Sequence, residues 1–202
     1  MEGSVYTIPM ALFDFIPVIL FGISGRLLMR GLYNKMSKGC FACLDIGVCA
    51  AFLAGFLKAL YKLLIAAGVG ESPLLNRLFL PLQASGLLLS GLSIVLMLTL
   101  RRKVTLAMAP MTISFIGMMV LGLGGMCTGL SVVAKKMKKG WLIPVFVVCF
   151  FCYMGMGYLG ARGGDSAADN WIEQGVNAVG QLLLLLGVSS LYRAGLREFK
   201  LS

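Results

Sequence analysis

Histidine does not occur in this chain, and acids are scarce: 8 Asp and Glu stand among 202 residues. Each absence closes off chemistry. Without histidine the commonest metal ligand and the usual near-neutral proton carrier are missing. Histidine-ligated haem and the common histidine-bearing zinc sites are excluded, as are Ser–His–Asp and Cys–His catalytic arrangements. Catalysis would have to rest on carboxylates and lysines alone, so an enzyme is the weakest reading, and neither a cofactor nor a metal site is expected. Charge of either sign is also rare, at 13% of residues, against about a quarter in a soluble domain. A surface so poor in charge cannot face water.

What is present is apolar. Hydrophobic residues make up 59% of the chain, and the mean hydropathy is +0.92. Six runs are long enough to span a bilayer, which takes about 20 residues: Ile8 to Leu32, Phe41 to Val69, Leu78 to Leu100, Val104 to Val133, Trp141 to Ala161, and Trp171 to Leu191. The N-terminal stretch lacks a basic region and a small-residue cleavage site, so the first run is expected to be retained as a span. No soluble domain, linker or sequence repeat is visible. The expected fold is an all-α polytopic membrane helix bundle, with residues 1–202 forming a single membrane domain.

The net charge of +10 sits mostly in short clusters between the apolar runs. That pattern marks membrane orientation and contact with anionic lipid head groups rather than nucleic acid. Arg26, Arg30, Lys35 and Lys38 place the first join on the cytoplasmic side, and the N-terminus outside. The nearly uncharged "GVGESP" then lies outside, and Arg101–Lys103 inside. The next join, with Lys135, Lys136, Lys138 and Lys139, breaks the alternation, because six simple crossings place it outside. If residues 104–133 instead enter and return, all basic joins fall inside except for Arg77 and Arg162. The glycines 117, 122, 124, 125 and 129 suit such a re-entrant turn, and Pro110 suits a broken arm. The competing reading is a single tilted span whose glycines, Gly125 and Gly129 among them, form a packing face.

Polar groups inside the spans carry the functional reading. Glu173, Asn177 and Gln181 recur every four residues, so they share one helix stripe, with Asn170 extending it. Ser166 and Asp169 have the spacing of a helix start. In the second run Cys43, Gly47, Ala51, Gly55 and Ala59 form a small-residue ridge suited to close helix packing. Lys58 and Lys62 fall within the angular range of that ridge and therefore point into the bundle. Asp14 lies within the first run, where Pro17 removes the hydrogen bond to the carbonyl of Phe13; Asp45 sits near the start of the second. Intramembrane ionisable groups tend to mark pathways. The substrate or ion pathway is therefore assigned to Asp14, Lys58, Lys62, Glu173, Asn177 and Gln181, and helix packing to Gly47, Ala51, Gly55, Gly125 and Gly129.

Two C-x-x-C pairs, Cys40/Cys43 and Cys149/Cys152, and the methionines at 108, 111, 118, 119 and 126 are read as apolar packing. "GMGYLGARGG" lacks the strand and lysine–serine pair of a phosphate loop. The leading expectation is a transporter or channel-like subunit of the plasma membrane that moves a small solute or ion. The alternative is a non-catalytic scaffold or accessory subunit docking other transmembrane helices. The expected partners are the bilayer and anionic head groups, with a small solute or ion, and either further copies of the chain or a membrane partner subunit; nucleic acid is not among them.

Overall fold

The computed structural model describes residues 6–99, 115–161 and 166–199. The expected features at Arg101–Lys103, Met108, Pro110, Met111 and Arg162 lie outside them. Among the described residues the chain is all helix: α1 (Ile8–Phe13), α2 (Phe15–Leu32), α3 (Lys38–Ala66), α4 (Pro73–Thr99), α5 (Phe115–Lys136), α6 (Leu142–Ala161) and α7 (Ala167–Arg193). Since α1 and α2 together make one span, the described residues hold 6 helices long and apolar enough to cross a membrane. Ladder hydrogen bonds satisfy the backbone within each helix, as hydrocarbon requires. Ile19, Ile46, Leu121, Phe151 and Leu186 are exposed and face where lipid would lie.

Local signals explain the helix ends. Ser37 caps α3 by accepting from the Cys40 N–H at 3.3 Å. Ser166 caps α7 by accepting from the Asp169 N–H at 3.1 Å, while its hydroxyl donates to the Asp169 carboxylate at 2.6 Å. The first span breaks at Asp14, between α1 and α2. Pro17, which supplies no N–H, lies just beyond the break.

The spans close into a ring in which each packs on its sequence neighbour and α7 packs back on α2. The glycines set the register. A Cβ on Gly47 would meet Gly86 O at 2.7 Å and Ser90 Oγ at 2.6 Å, and one on Gly86 would meet Ala51 N at 2.7 Å. Residue numbers run in opposite senses, so α3 and α4 are antiparallel. Gly180 lies against Cys152 and Gly187 against Phe146, which makes α6 and α7 antiparallel as well. Between α4 and α5 the sense reverses. Gly122 abuts Leu87 and Gly91, Gly125 abuts Gly91 and Val95, and Gly129 abuts Ile94 and Leu98, so these two helices run parallel.

The single-span reading of this segment, with a glycine packing face, holds for the described residues 115–136, while its expected direction does not. No re-entrant turn occurs at the glycines: residues 115–136 are one unbroken helix, and its glycines let the backbones of α4 and α5 touch. Nor does the simple alternation of six crossings hold, because α5 runs in the same direction as α4. Lys135–Lys139 therefore lie at the end where α4 finishes and α2 meets α3. This basic end also carries Arg30, Lys35, Lys38, Arg193 and Arg197. The opposite, cavity end gathers the start of α1, the α3–α4 turn and the start of α7. The ring thus comprises two three-helix units, α2–α4 and α5–α7, with the same pattern of directions.

Candidate functional site

Near the cavity end the ring is hollow. A cavity of about 70 Å³ lies on its axis and takes side chains from every span. That is room for a few water molecules or a small ion. All six side chains assigned to the pathway line it: Asp14 from the α1–α2 break, Lys58 and Lys62 from α3, and Glu173, Asn177 and Gln181 from α7. Gly55 of the α3 ridge also faces it.

The charges are paired across helices. Lys62 Nζ lies 2.8 Å from Asp14 Oδ2, at angles that make an ion pair rather than a directed hydrogen bond, and both residues are buried. Lys58 Nζ lies 3.8 Å from Glu173 Oε1, a looser pair with side chains 32% and 21% exposed. Lys58 also sits over the Phe79 ring at 4.3 Å, and Lys62 over the Tyr6 ring at 5.5 Å; aromatic faces favour cations there. Two cations and two carboxylates meet, and the cluster is formally neutral. The α1–α2 break serves this geometry by bringing the Asp14 carboxylate to Lys62 on α3.

Several lining groups escaped the sequence reading. Gln174, 2% exposed, has no protein partner for either amide atom; Gln83 Oε1 and Gln181 Oε1 are also buried without one, and Tyr153 lines the same hollow. Buried polar atoms are nearly always hydrogen-bonded, so this group marks a place for water or a polar ligand. Gln174 was legible: with Asn177 and Gln181 it has i, i+3, i+7 spacing, the same face. Gln83 and Phe79 depend on how α4 sits against α3, which no spacing reveals. Conversely, Asn170 turns away, its amide donating to Ser166 O at 3.2 Å, and Asp45 lies toward the basic end.

Toward the basic end the hollow closes. Phe21, Leu87, Leu123 and Gln181 form its floor. Beneath them Leu28, Leu44, Ile94, Met126, Leu130, Phe146, Leu184 and Leu191 are almost wholly buried and belong to one apolar cluster. Two prolines flank the upper part. Pro17 follows the α1–α2 break, and Pro81 lies inside α4, where its carbonyl accepts from Ser85 Oγ at 2.7 Å.

The packing residues read from sequence fall at helix contacts. Gly47 and Ala51 meet Gly86 of α4, a Cβ on Gly55 would meet Val18 of α2 at 3.2 Å, and Gly125 and Gly129 meet α4. The ridge on α3 is therefore occupied within the chain. The six cysteines are free; Cys149 Sγ donates to Gly180 O at 3.3 Å, a packing role at the α6–α7 contact.

These features define a multi-pass, α-helical integral membrane protein. In comparisons with known proteins, no family model, no curated protein and no solved structure matches the chain.

Proposed function

We propose that the protein moves a small polar solute or ion across the plasma membrane, the whole chain acting as one membrane domain. The observation that carries this reading is the axial cavity: paired charges and unpartnered amides from the first span, α3, α4 and α7 converge on it, and an apolar cluster lies between it and the basic end. Asp14 and Glu173 bind a cation or proton, Lys62 and Lys58 act as counter-ions that the cargo displaces, and Gln83, Gln174, Asn177 and Gln181 contact cargo. The loose Lys58–Glu173 pair is the first to exchange. Secondary transporters commonly place their sites between structural repeats near the bilayer midplane, and this cavity lies between the two like-directed units. The basic end is cytoplasmic by the excess of Lys and Arg, which makes the cavity outward-facing. Release inward requires the apolar plug to part, with Pro17 and Pro81 as the points where helices bend.

The test is flux in proteoliposomes. Entrapped pyranine reports proton movement, and light-scattering swelling reports entry of small polar solutes. The wild-type protein is expected to exceed empty vesicles for at least one probe. Glu173→Gln, at the looser pair, is expected to cut that excess at least tenfold, or to remove its pH dependence, while eluting as folded protein; Asp14→Asn combined with Lys62→Met, which strands no charge, is expected to do the same. Wild-type flux equal to that of empty vesicles for all probes overturns the proposal. Docking of other helices is the second reading; because Gly47, Ala51 and Gly55 pack within the chain, loss of a co-purifying membrane partner on Ile46→Ala or Phe151→Ala, at exposed apolar positions, with the charge variants silent, would favour it.

A further inference from the structure

The basic end carries a second cavity that shares no residue with the first. It measures about 560 Å³ and lies between α2, α3 and the C-terminal turn. Arg26, Arg30 and Arg197 line it together with Tyr33 and Tyr192. Asp45 is the acid on its wall, leaving the lining net positive.

Three observations make this more than a basic surface. Arg26 and Arg30 are one helical turn apart and belong to an apolar span that runs from Ile8 to Leu32. Both are exposed, so their guanidinium groups emerge over the last two turns of a lipid-facing helix. Cations at the cytoplasmic end of a span reach the interface, where anionic groups are drawn to them. Among the described residues, Arg26, Arg30 and Arg197 have no carboxylate within ion-pair distance. Finally, Arg197 is held in place. Gly195, at φ +89°, reverses the chain after α7. Leu196 is then fully buried against Gly31 of α2. The Lys35 ammonium, pushed below the ordinary lysine range by burial, donates to the Phe199 carbonyl and lies 5.8 Å from its ring centroid. The Tyr33 ring is steadied by an edge contact with Phe41 at 5.0 Å.

We infer that this cavity is a binding site for a phosphate group, borne by an anionic phospholipid head group or by a soluble phosphate ester. Planar guanidinium forks match phosphate oxygens in pairs, and tyrosine hydroxyls donate further hydrogen bonds. Basic pockets between spans on the cytoplasmic side suit phospholipid head groups. The site stands independently of the transport reading: its three arginines come from α2 and the C-terminal turn, and none touches the axial cavity.

The full chain, purified in detergent and stripped of lipid, is titrated with phosphatidylglycerol, phosphatidylcholine and inorganic phosphate while thermal unfolding is followed. Phosphatidylglycerol or phosphate is expected to raise the wild-type Tm, and phosphatidylcholine is not. Apparent affinity is expected to fall about fivefold for each arginine removed in Arg26→Gln/Arg30→Gln and in Arg197→Gln. Lys135→Gln/Lys138→Gln, at the same end but outside the cavity, is expected to keep wild-type affinity. A response to inorganic phosphate assigns a soluble ester; a response to phosphatidylglycerol alone assigns a head group. Equal loss in the lysine variant shows diffuse attraction and overturns the site, as does wild-type affinity in the arginine variants or no response in wild type. Should the double variant not fold, Arg30→Lys keeps the charge, loses the fork, and is expected to weaken binding.

Discussion

At the scale of single residues, the buried Asp14–Lys62 pair is the sharpest lever. Removing one member leaves a stranded charge, which costs about 3–5 kcal/mol, whereas removing both is far milder. Lys62→Met alone is therefore expected to lower thermal stability strongly, and Asp14→Asn combined with Lys62→Met to recover most of it; melting curves in detergent decide. Gln174 should behave in the opposite way. Both its amide atoms lack a protein partner, so Gln174→Leu is expected to hold or raise Tm while lowering flux. A fall in Tm of the size seen for Lys62→Met would show that Gln174 is structural. The ionic members of this cluster were legible because a charge inside an apolar run stands out against its neighbours. Tyr153 and Gln83 were not, since a tyrosine or a lone amide in a span is ordinary until its surroundings are known.

At the scale of elements, glycine decides how closely helices approach. A Cβ at Gly122 would collide with the α4 backbone at Leu87 and Leu88, and backbone cannot yield as a side chain does. Gly122→Val is expected to disrupt the α4–α5 contact and abolish recovery of monodisperse protein by size exclusion. Gly175 has nothing within 4 Å of its Cβ position, and Gly175→Ala is expected to stabilise by up to about 1 kcal/mol through helix propensity alone. The two outcomes separate glycines that pack from glycines that merely occur. Sequence spacing found Gly125 and Gly129 on α5 and Gly47 on α3. It did not find their partners Gly86 and Gly91, because which ridges meet depends on helix direction.

At the scale of the whole molecule, direction is the central result. With α4 and α5 parallel, Lys138 and Ser37 lie at one end and Glu71 at the other. In a background without native cysteines, Lys138→Cys and Ser37→Cys are expected to react with an impermeant thiol reagent from the same side, and Glu71→Cys from the opposite side. Labelling of Lys138→Cys together with Glu71→Cys would restore the alternating topology and divide the charge cluster between the two faces. The count of basic residues in the joins pointed to this arrangement, while the glycine-rich stretch suggested the wrong device for it.

The sequence by itself determined the solvent and the element type. Long apolar runs nearly free of charge must lie in lipid, and in lipid the backbone of each run must satisfy itself as a helix. It also determined that the few intramembrane charges need shelter, because exposing them to hydrocarbon is costly. Only the tertiary structure decided where that shelter lies. Whether Glu173 shares a cavity with Lys58 or faces the opposite side depends on the direction in which α5 runs, and direction comes from long-range contacts such as Gly91 on Gly122, which local composition does not encode.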